Sequence, residues 1–518
     1  MKCLKICTVA IGVVVAVANT NIAQHPNQEP ENHKELIVHE WGTFTELQDL
    51  SGKSVGGINT DDEPVPKFVH GIGPVLESTV EPYRNAMWFG KGIRRLPKVT
   101  TRLETPVVYF YPPTGQEKPM KLNVEVQLRG GWLSEFYPKA QSHAPGLSAM
   151  NIDRNMAGSL TWSGLQVGNL PGEAESRIPK TDEHVWIAPR KTGAALVLAN
   201  NARPTKEDPN ARLIEAEKYL FYRGVGSFSG PLQVVTDKKQ DRLTINSRFY
   251  EVGAEKSLSV DKAWLVSVGY DGNIAFRTID GFEAPHDRAA SVATVARSFR
   301  KNEHNSANLH ELHREMHAAL VEDGLYDDEA TAMLETWRDA YFKSPGLRLF
   351  YVVPREWTDD RMPLSVSARC EMERVMIGRI ELFSDMHLRL CEDLKKIPNG
   401  DPAWLQNLYP WTSKPKNEDE KAQFARKTVE RFWLGANNLA ELEKIGAVIP
   451  QDYKTYIELG RFRNAVLRHE AMKTGNRQLL TFLRNYRLMT PEIASKYPAN
   501  QFRTLSSNNS LDSKPGSE

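Results

Sequence analysis

The chain has 518 residues, 40% hydrophobic and 25% charged, with 66 Lys and Arg against 65 Asp and Glu. That length exceeds one compact core and predicts two or three domains. A net charge of +1 offers no general attraction to nucleic acid or to an acidic polymer, so no nucleic-acid partner is expected.

Residues 1–23 read as a secretory signal peptide. Lys2 and Lys5 form its charged start, and the apolar run from Ile6 to Ala18 is too short to span a bilayer comfortably. Ala16-Val17-Ala18 offers small residues for cleavage before Asn19, and Ala23 is a second stop. No later segment is apolar for long enough to cross a membrane, so the expected location is periplasmic or extracellular, without a transmembrane segment after cleavage. Cys370 and Cys391 remain once the signal is removed. An oxidising compartment would permit one disulfide between them; two unpaired buried thiols are the alternative.

Residues 24–35 are a polar leader. The pattern from Leu36 to Phe282 predicts a β-rich domain over residues 36–282. Thr105 to Tyr111 ends at Pro112-Pro113, and Lys121 to Leu128 alternates Leu122, Val124, Val126 and Leu128 against polar residues. Further short strands are read at 159–167, 185–187, 195–198, 219–222, 232–235, 243–245 and 263–268, separated by Gly, Pro, Asn and Asp. Such spacing predicts an antiparallel sandwich or open barrel. The segment 286–397 is expected to hold a helix pair and strands that return to the sheet. Its first helix is read from Arg288 to Leu320, interrupted near Asn302 to Asn308; its second starts at Asp327 and Asp328, with acid in the first turn. Leu347 to Val353 and Arg374 to Phe383 are the returning strands. A C-terminal helical region is expected over 417–492, with helices at 418–434, 453–472 and 476–486, and a disordered tail over 499–518. The fold class is therefore α+β: an antiparallel β-sandwich-like domain, a helical extension and a C-terminal helical region.

The stretch Val38-His39-Glu40-Trp41-Gly42-Thr43-Phe44-Thr45 packs an imidazole, a carboxylate, an indole and two hydroxyls together. Alternation puts His39, Trp41 and Thr43 on one strand face, and Glu40 and Phe44 on the other. His39-Glu40-Trp41-Gly42-Thr43-Phe44-Thr45, Glu104 to Tyr111, Glu217 to Gly226 and Leu347 to Arg355 resemble signatures of a group of uncharacterised exported bacterial proteins. The resemblance covers most of residues 36–383. It implies export and shared architecture, and implies no activity.

His39 and Glu40 are candidates for a metal ligand plus base, or for an acid–base pair. As strand neighbours they point apart unless a bulge intervenes, so one functional and one structural group is the expectation, with a wholly structural role as the alternative. Glu40 is the weak preference for function. Glu104 and Glu135 are candidate paired carboxylates for glycosidic chemistry, which needs two acids about 5 to 10 Å apart with one held protonated by an apolar setting. Trp132, Phe136 and Tyr137 would supply that setting. Arg223 is a candidate clamp for a carboxylate or phosphate, or half of a structural salt bridge. Trp41, Tyr137 and Arg223 are the candidate ligand-binding groups. His310, His313 and His317 share one helix arc, but Glu311 and Glu315 are misplaced for a zincin pattern, so no metal is expected there. No phosphate-binding loop, Gly-x-Ser-x-Gly elbow or Cys-x-x-Cys occurs, and no cofactor is assigned.

Three functions follow. The first is an exported hydrolase or lyase acting on an extracellular polymer such as a glycan. The second is a non-catalytic ligand- or glycan-binding protein. The third is an envelope-associated structural protein that uses an apolar stripe near Phe432, Trp433 and Leu439. The expected partner is accordingly an extracellular polymer or a small-molecule ligand.

Overall fold

Leu36–Gln48 is a 13-residue strand buried along nearly its whole length. Burial on both faces demands a strand at each edge and a packed layer over each side. The computed structural model, which describes residues 33–61, 65–73, 75–78, 96–202, 211–249, 257–285, 289–402 and 449–498, supplies all four.

The strand sits fifth in a nine-stranded sheet. In order, the sheet contains Ile274–Ala284, Leu258–Val268, Gly346–Val353, Cys370–Leu382, Leu36–Gln48, Thr101–Tyr111, Leu220–Gly226, Gly131–Tyr137 and His70–Gly71. Pairing is antiparallel except between Leu36–Gln48 and Cys370–Leu382, which run parallel. A parallel pair needs a long crossover, and here most of the chain lies between its two strands.

A second sheet covers one face, built on Arg212–Glu217, Val197–Ala202, Ala157–Val167, Met120–Arg129 and Leu364–Val366, with Gln141–His143 beside Ala157–Val167. Leu122, Val124, Val126 and Leu128 alternate inward as their spacing requires, and meet Val38, Phe44, Val108 and Phe110 in a shared core. This is the sandwich. The other face carries the helices Ala307–Glu322, Asp327–Thr336 and Arg338–Phe342 over Trp41, Val107, Tyr109 and Ile377. Beside them Gln451–Glu458, Arg463–Thr474 and Arg477–Asn485 cover Leu47, Trp132 and Val225. Among the described residues, no helix is long and apolar enough to cross a membrane.

Local expectations failed where tertiary pairing overrode pattern. The helix read from Arg288 begins only at Ala307, because Ala290–Ala296 pairs with Arg242–Ser247 as a strand. Val185 to Ile187 lies in a short helix, His184–Ile187, rather than a strand. The helix read over 453–472 breaks at Gly460, whose φ of 77° favours glycine. The helix read over 418–434 and the tail lie outside the described residues. Cys370 and Cys391 are both free thiols. Cys370 opens a 13-residue strand and Cys391 lies in the helix after its far end, so roughly 40 Å of extended chain separates them.

Two glycines let the sheet close. Thr105, at φ 44°, and Pro106 form an irregularity opposite Gly42, where the register shifts. A Cβ on Gly42 would stand 2.9 Å from Pro106 Cγ and 3.1 Å from Met376 Sδ. A Cβ on Gly378 would stand 2.0 Å from Tyr351 Cζ, because that ring lies over the glycine facing it in register. Gly42→Ala should cost about 1–3 kcal/mol, and Gly378→Ala more, since a ring must be displaced. Urea unfolding of both variants checks the ranking; two unchanged midpoints would contradict it.

His387 ties Asp385–Leu394 to this frame. Its Nδ1 accepts the Ser384 N–H at 3.1 Å, so the ring is held neutral, and burial pushes its pKa down to about 4. The unfolded ring takes its proton near 6.5, so between these values the unfolded state binds more protons. Stability should therefore be full above pH 6.5 and fall towards pH 4, by up to about 1.4 kcal/mol per unit. Unfolding midpoints from pH 7.5 to 4.5 should show a shallower decline in His387→Gln than in the native chain.

Candidate functional site

Alternation along Leu36–Gln48 holds. His39 and Thr43 meet side chains of the helical layer, while Glu40 meets Tyr222 on the side of the second sheet. Six polar side chains of this strand are buried: His39, Glu40, Thr43, Thr45, Glu46 and Gln48.

His39 Nδ1 lies 2.7 Å from Glu329 Oε2. Glu329 itself is fixed from three sides. Tyr111 OH donates to Oε1 at 2.8 Å, the Tyr326 N–H donates to Oε2 at 2.8 Å, and the His39 ring completes the set. The backbone bond is the capping box of Asp327–Thr336, where first-turn acid is also favoured by the helix dipole. Burial, then the Glu329 charge, push the Tyr111 pKa up, so Tyr111 remains the donor. A carboxylate accepting at Nδ1 selects the tautomer that leaves Nε2 as a lone-pair base. Among the described residues, Nε2 has no hydrogen-bond partner, and the residue keeps 3% of its exposure. Tyr326 packs on the ring at 4.5 Å between centroids and is itself only half-buried. This geometry is one that can serve as a base with an orienting acid behind it.

Glu40 belongs to a separate arrangement. Its carboxylate takes the Arg374 Nε–H at 2.7 Å and the Tyr222 hydroxyl, and all three groups are buried. Arg374 also bonds Asp359 at 2.6 Å and the Met362 carbonyl at 2.7 Å. This arrangement cross-links four segments and leaves Glu40 no face towards a ligand.

The remaining candidates fall on a polar belt across the helix-facing side of the sheet. On the central strand, Thr43 and Thr45 stand between Trp41 of one apolar cluster and Leu47 of the next. Neighbouring strands repeat the arrangement: Arg379 and Glu381 between Ile377 and Phe383, and Arg223 between Phe221 and Val225. Thr45 Oγ1 donates to Glu104 Oε2 at 3.1 Å, and Glu104 pairs with Arg461 and lies 3.5 Å from Arg102. Arg223 Nη1 is 3.6 Å from Glu135, whose side chain keeps 21% of its exposure. The belt thus gathers Glu104, Glu135 and Arg223 on one face. It does not include Glu40, on the opposite face, or His39, about 13 Å up the strand from Thr43. Glu104 sits among cations rather than in the apolar setting that a glycosidic acid requires.

Trp41 is fully buried against Tyr109, at 6.3 Å between ring centroids. Tyr137 is buried against Phe68 and Trp186, with His70 stacked on it. Both are core residues in this structure. His313 packs on Phe342, and His317 Nε2 lies 3.2 Å from the Asp327 carbonyl and from Thr331. Among the described residues, no group of three or more His, Cys, Asp or Glu is placed to hold a metal. Glu329 is the group that sequence reasoning missed. Its signal was its place beside Asp327 and Asp328, which were read only as helix-start acid.

No protein-family model matches the chain, and no curated protein matches it. One solved structure with a measurable likeness is the Fcho1 Mu homology domain of Danio rerio with bound Eps15 peptide. The TM-score is 0.26 at 6% identity, over 68% of this chain and 98% of that one. A likeness so slight carries no argument.

The Glu40 arrangement makes a definite prediction. Glu40→Gln leaves Arg374 buried without its main counter-charge, and should lower stability by about 3–5 kcal/mol. Glu40→Gln combined with Arg374→Met should recover part of that loss. Chemical denaturation of the three variants measures both effects; an unchanged midpoint in Glu40→Gln would show that the pair has no structural weight.

Proposed function

We propose that this protein is an exported hydrolase or lyase acting on an extracellular polymer such as a glycan, with His39 as its general base and Glu329 as the group that orients it. The observation that carries the reading is the 2.7 Å contact between His39 Nδ1 and a buried carboxylate held by Tyr111 and the Tyr326 N–H. In hydrolysis, Nε2 would take a proton from water as the oxygen attacks and the scissile bond to oxygen breaks, and the imidazolium would return that proton to the leaving oxygen; in elimination, it would take a proton from carbon as the C–O bond on the adjacent carbon breaks, and return it likewise. Glu329 then stabilises the imidazolium in either case. Export rests on the signal-like residues 1–23 and on the resemblance to the exported group.

The alternative of a non-catalytic glycan binder calls for exposed aromatic platforms. Among the described residues, the exposed large apolar side chains are Ile214, Tyr270 and Val321, which offer one aromatic ring. The structural alternative rests on Phe432, Trp433 and Leu439, which lie outside the described residues.

Activity on a panel of neutral and acidic polysaccharides, read as new reducing or unsaturated ends, tests the proposal. His39→Gln should lose about 10²–10⁴-fold in rate, and Glu329→Gln should lose rate while remaining folded. Full activity in His39→Gln would remove His39 from the chemistry.

A further inference from the structure

We propose that the inner half of the polar belt is a binding site for one oxyanion, seated between Arg379 and Arg461 across Thr45. It is separate from the His39 site and does not depend on the hydrolase reading.

Among the described residues, the inner belt sets two guanidiniums, Arg348 and Arg379, against one carboxylate, Glu381. Both arginines have no exposed surface. Arg348 is committed to the frame, with its Nη groups donating to the Ala340, Tyr341 and Ser344 carbonyls. Arg379 is not. Its Nε donates to Glu381 at 2.7 Å, and its Nη2 lies against the same oxygen. Among the described residues, its Nη1 meets no acceptor. The Tyr341 ring also lies beside it, 5.5 Å from the guanidinium carbon. A buried, charged donor without an acceptor is costly, so such a group is retained where something else meets it.

Arg461 supplies the second cation. It enters from the turn after Gln451–Glu458 and pairs with Glu104. Glu104 accepts from Thr45, and Thr45 faces Arg379 in register. The two guanidiniums therefore flank one threonine. The crowding of positive charge is visible at Arg348. Burial pushes its pKa down to about 9 despite Glu381, and the charges of Arg379 and Arg461 add to the push. An oxyanion accepting from Nη1 would satisfy the donor and offset this charge together. The Arg fork fits a carboxylate, a phosphate or a sulfate group.

The test is thermal unfolding of the full chain at constant ionic strength, set with sodium chloride, while inorganic phosphate, sulfate or acetate is titrated in. The expected result is a saturable rise in Tm with at least one of them. A response to acetate alone would identify a carboxylate, and a response to phosphate or sulfate a tetrahedral anion. In Arg379→Gln the apparent Kd should rise by at least about tenfold. Should that variant fail to fold, Arg461→Gln carries the same readout with the same expected loss. No saturable rise beyond chloride, or an equal rise in the native chain and a folded variant, would overturn the proposal.

Discussion

A strand buried on both faces that carries six polar side chains can form only if each finds its partner. Leaving one such group unpaired costs about 1–3 kcal/mol, a large share of net stability. Leu36–Gln48 finds its partners far along the chain. His39 meets Glu329 across 290 residues, Glu40 meets Arg374 across 334, and Gln48 bonds the Leu232 carbonyl across 184. Glu46 takes the Gly230 N–H, and the Gln48 amide at 3.0 Å, while burial raises its pKa. The central strand thus specifies which segments come together, through directional bonds that a merely apolar strand would lack.

The same requirement explains how one sheet face carries two helical layers. The apolar cluster under Ala307–Glu322 and that under the C-terminal helices do not merge, because the belt lies between them. Each layer reaches the belt with its own polar group: Tyr341 to Thr43 from one side, and Arg461 to Glu104 from the other. Ion pairs of this kind add modest net stability but are costly to break singly, so they favour register over strength.

Much of this was legible in the sequence. Alternation correctly separated His39 from Glu40, and the Leu122 to Leu128 pattern correctly named its inward face. The α+β class and the sandwich followed from strand spacing. What failed was non-local. Glu329 went unread beside the helix-start acids Asp327 and Asp328, because nothing in that run shows that Tyr111 and His39 lie above it. Glu40 looked unusual beside Trp41 until Arg374 arrived on the parallel strand. The segment Ala290–Ala296, rich in alanine, looked helical until it paired with Arg242–Ser247. Sequence spacing placed Glu104 and Glu135 31 residues apart. Only the register of three adjacent strands shows them on one face, with Arg223 on the strand between.

The His39–Glu329 contact requires His39 to carry its proton on Nδ1 and to leave Nε2 free. Nitrogen-15 spectra of histidine-labelled protein report the tautomer directly. With its ring neutral, His39 should show a protonated Nδ1 and a pyridine-like Nε2, with that preference weakened in Glu329→Gln. A His39 signal with the proton on Nε2, or one unmoved by Glu329→Gln, would contradict it.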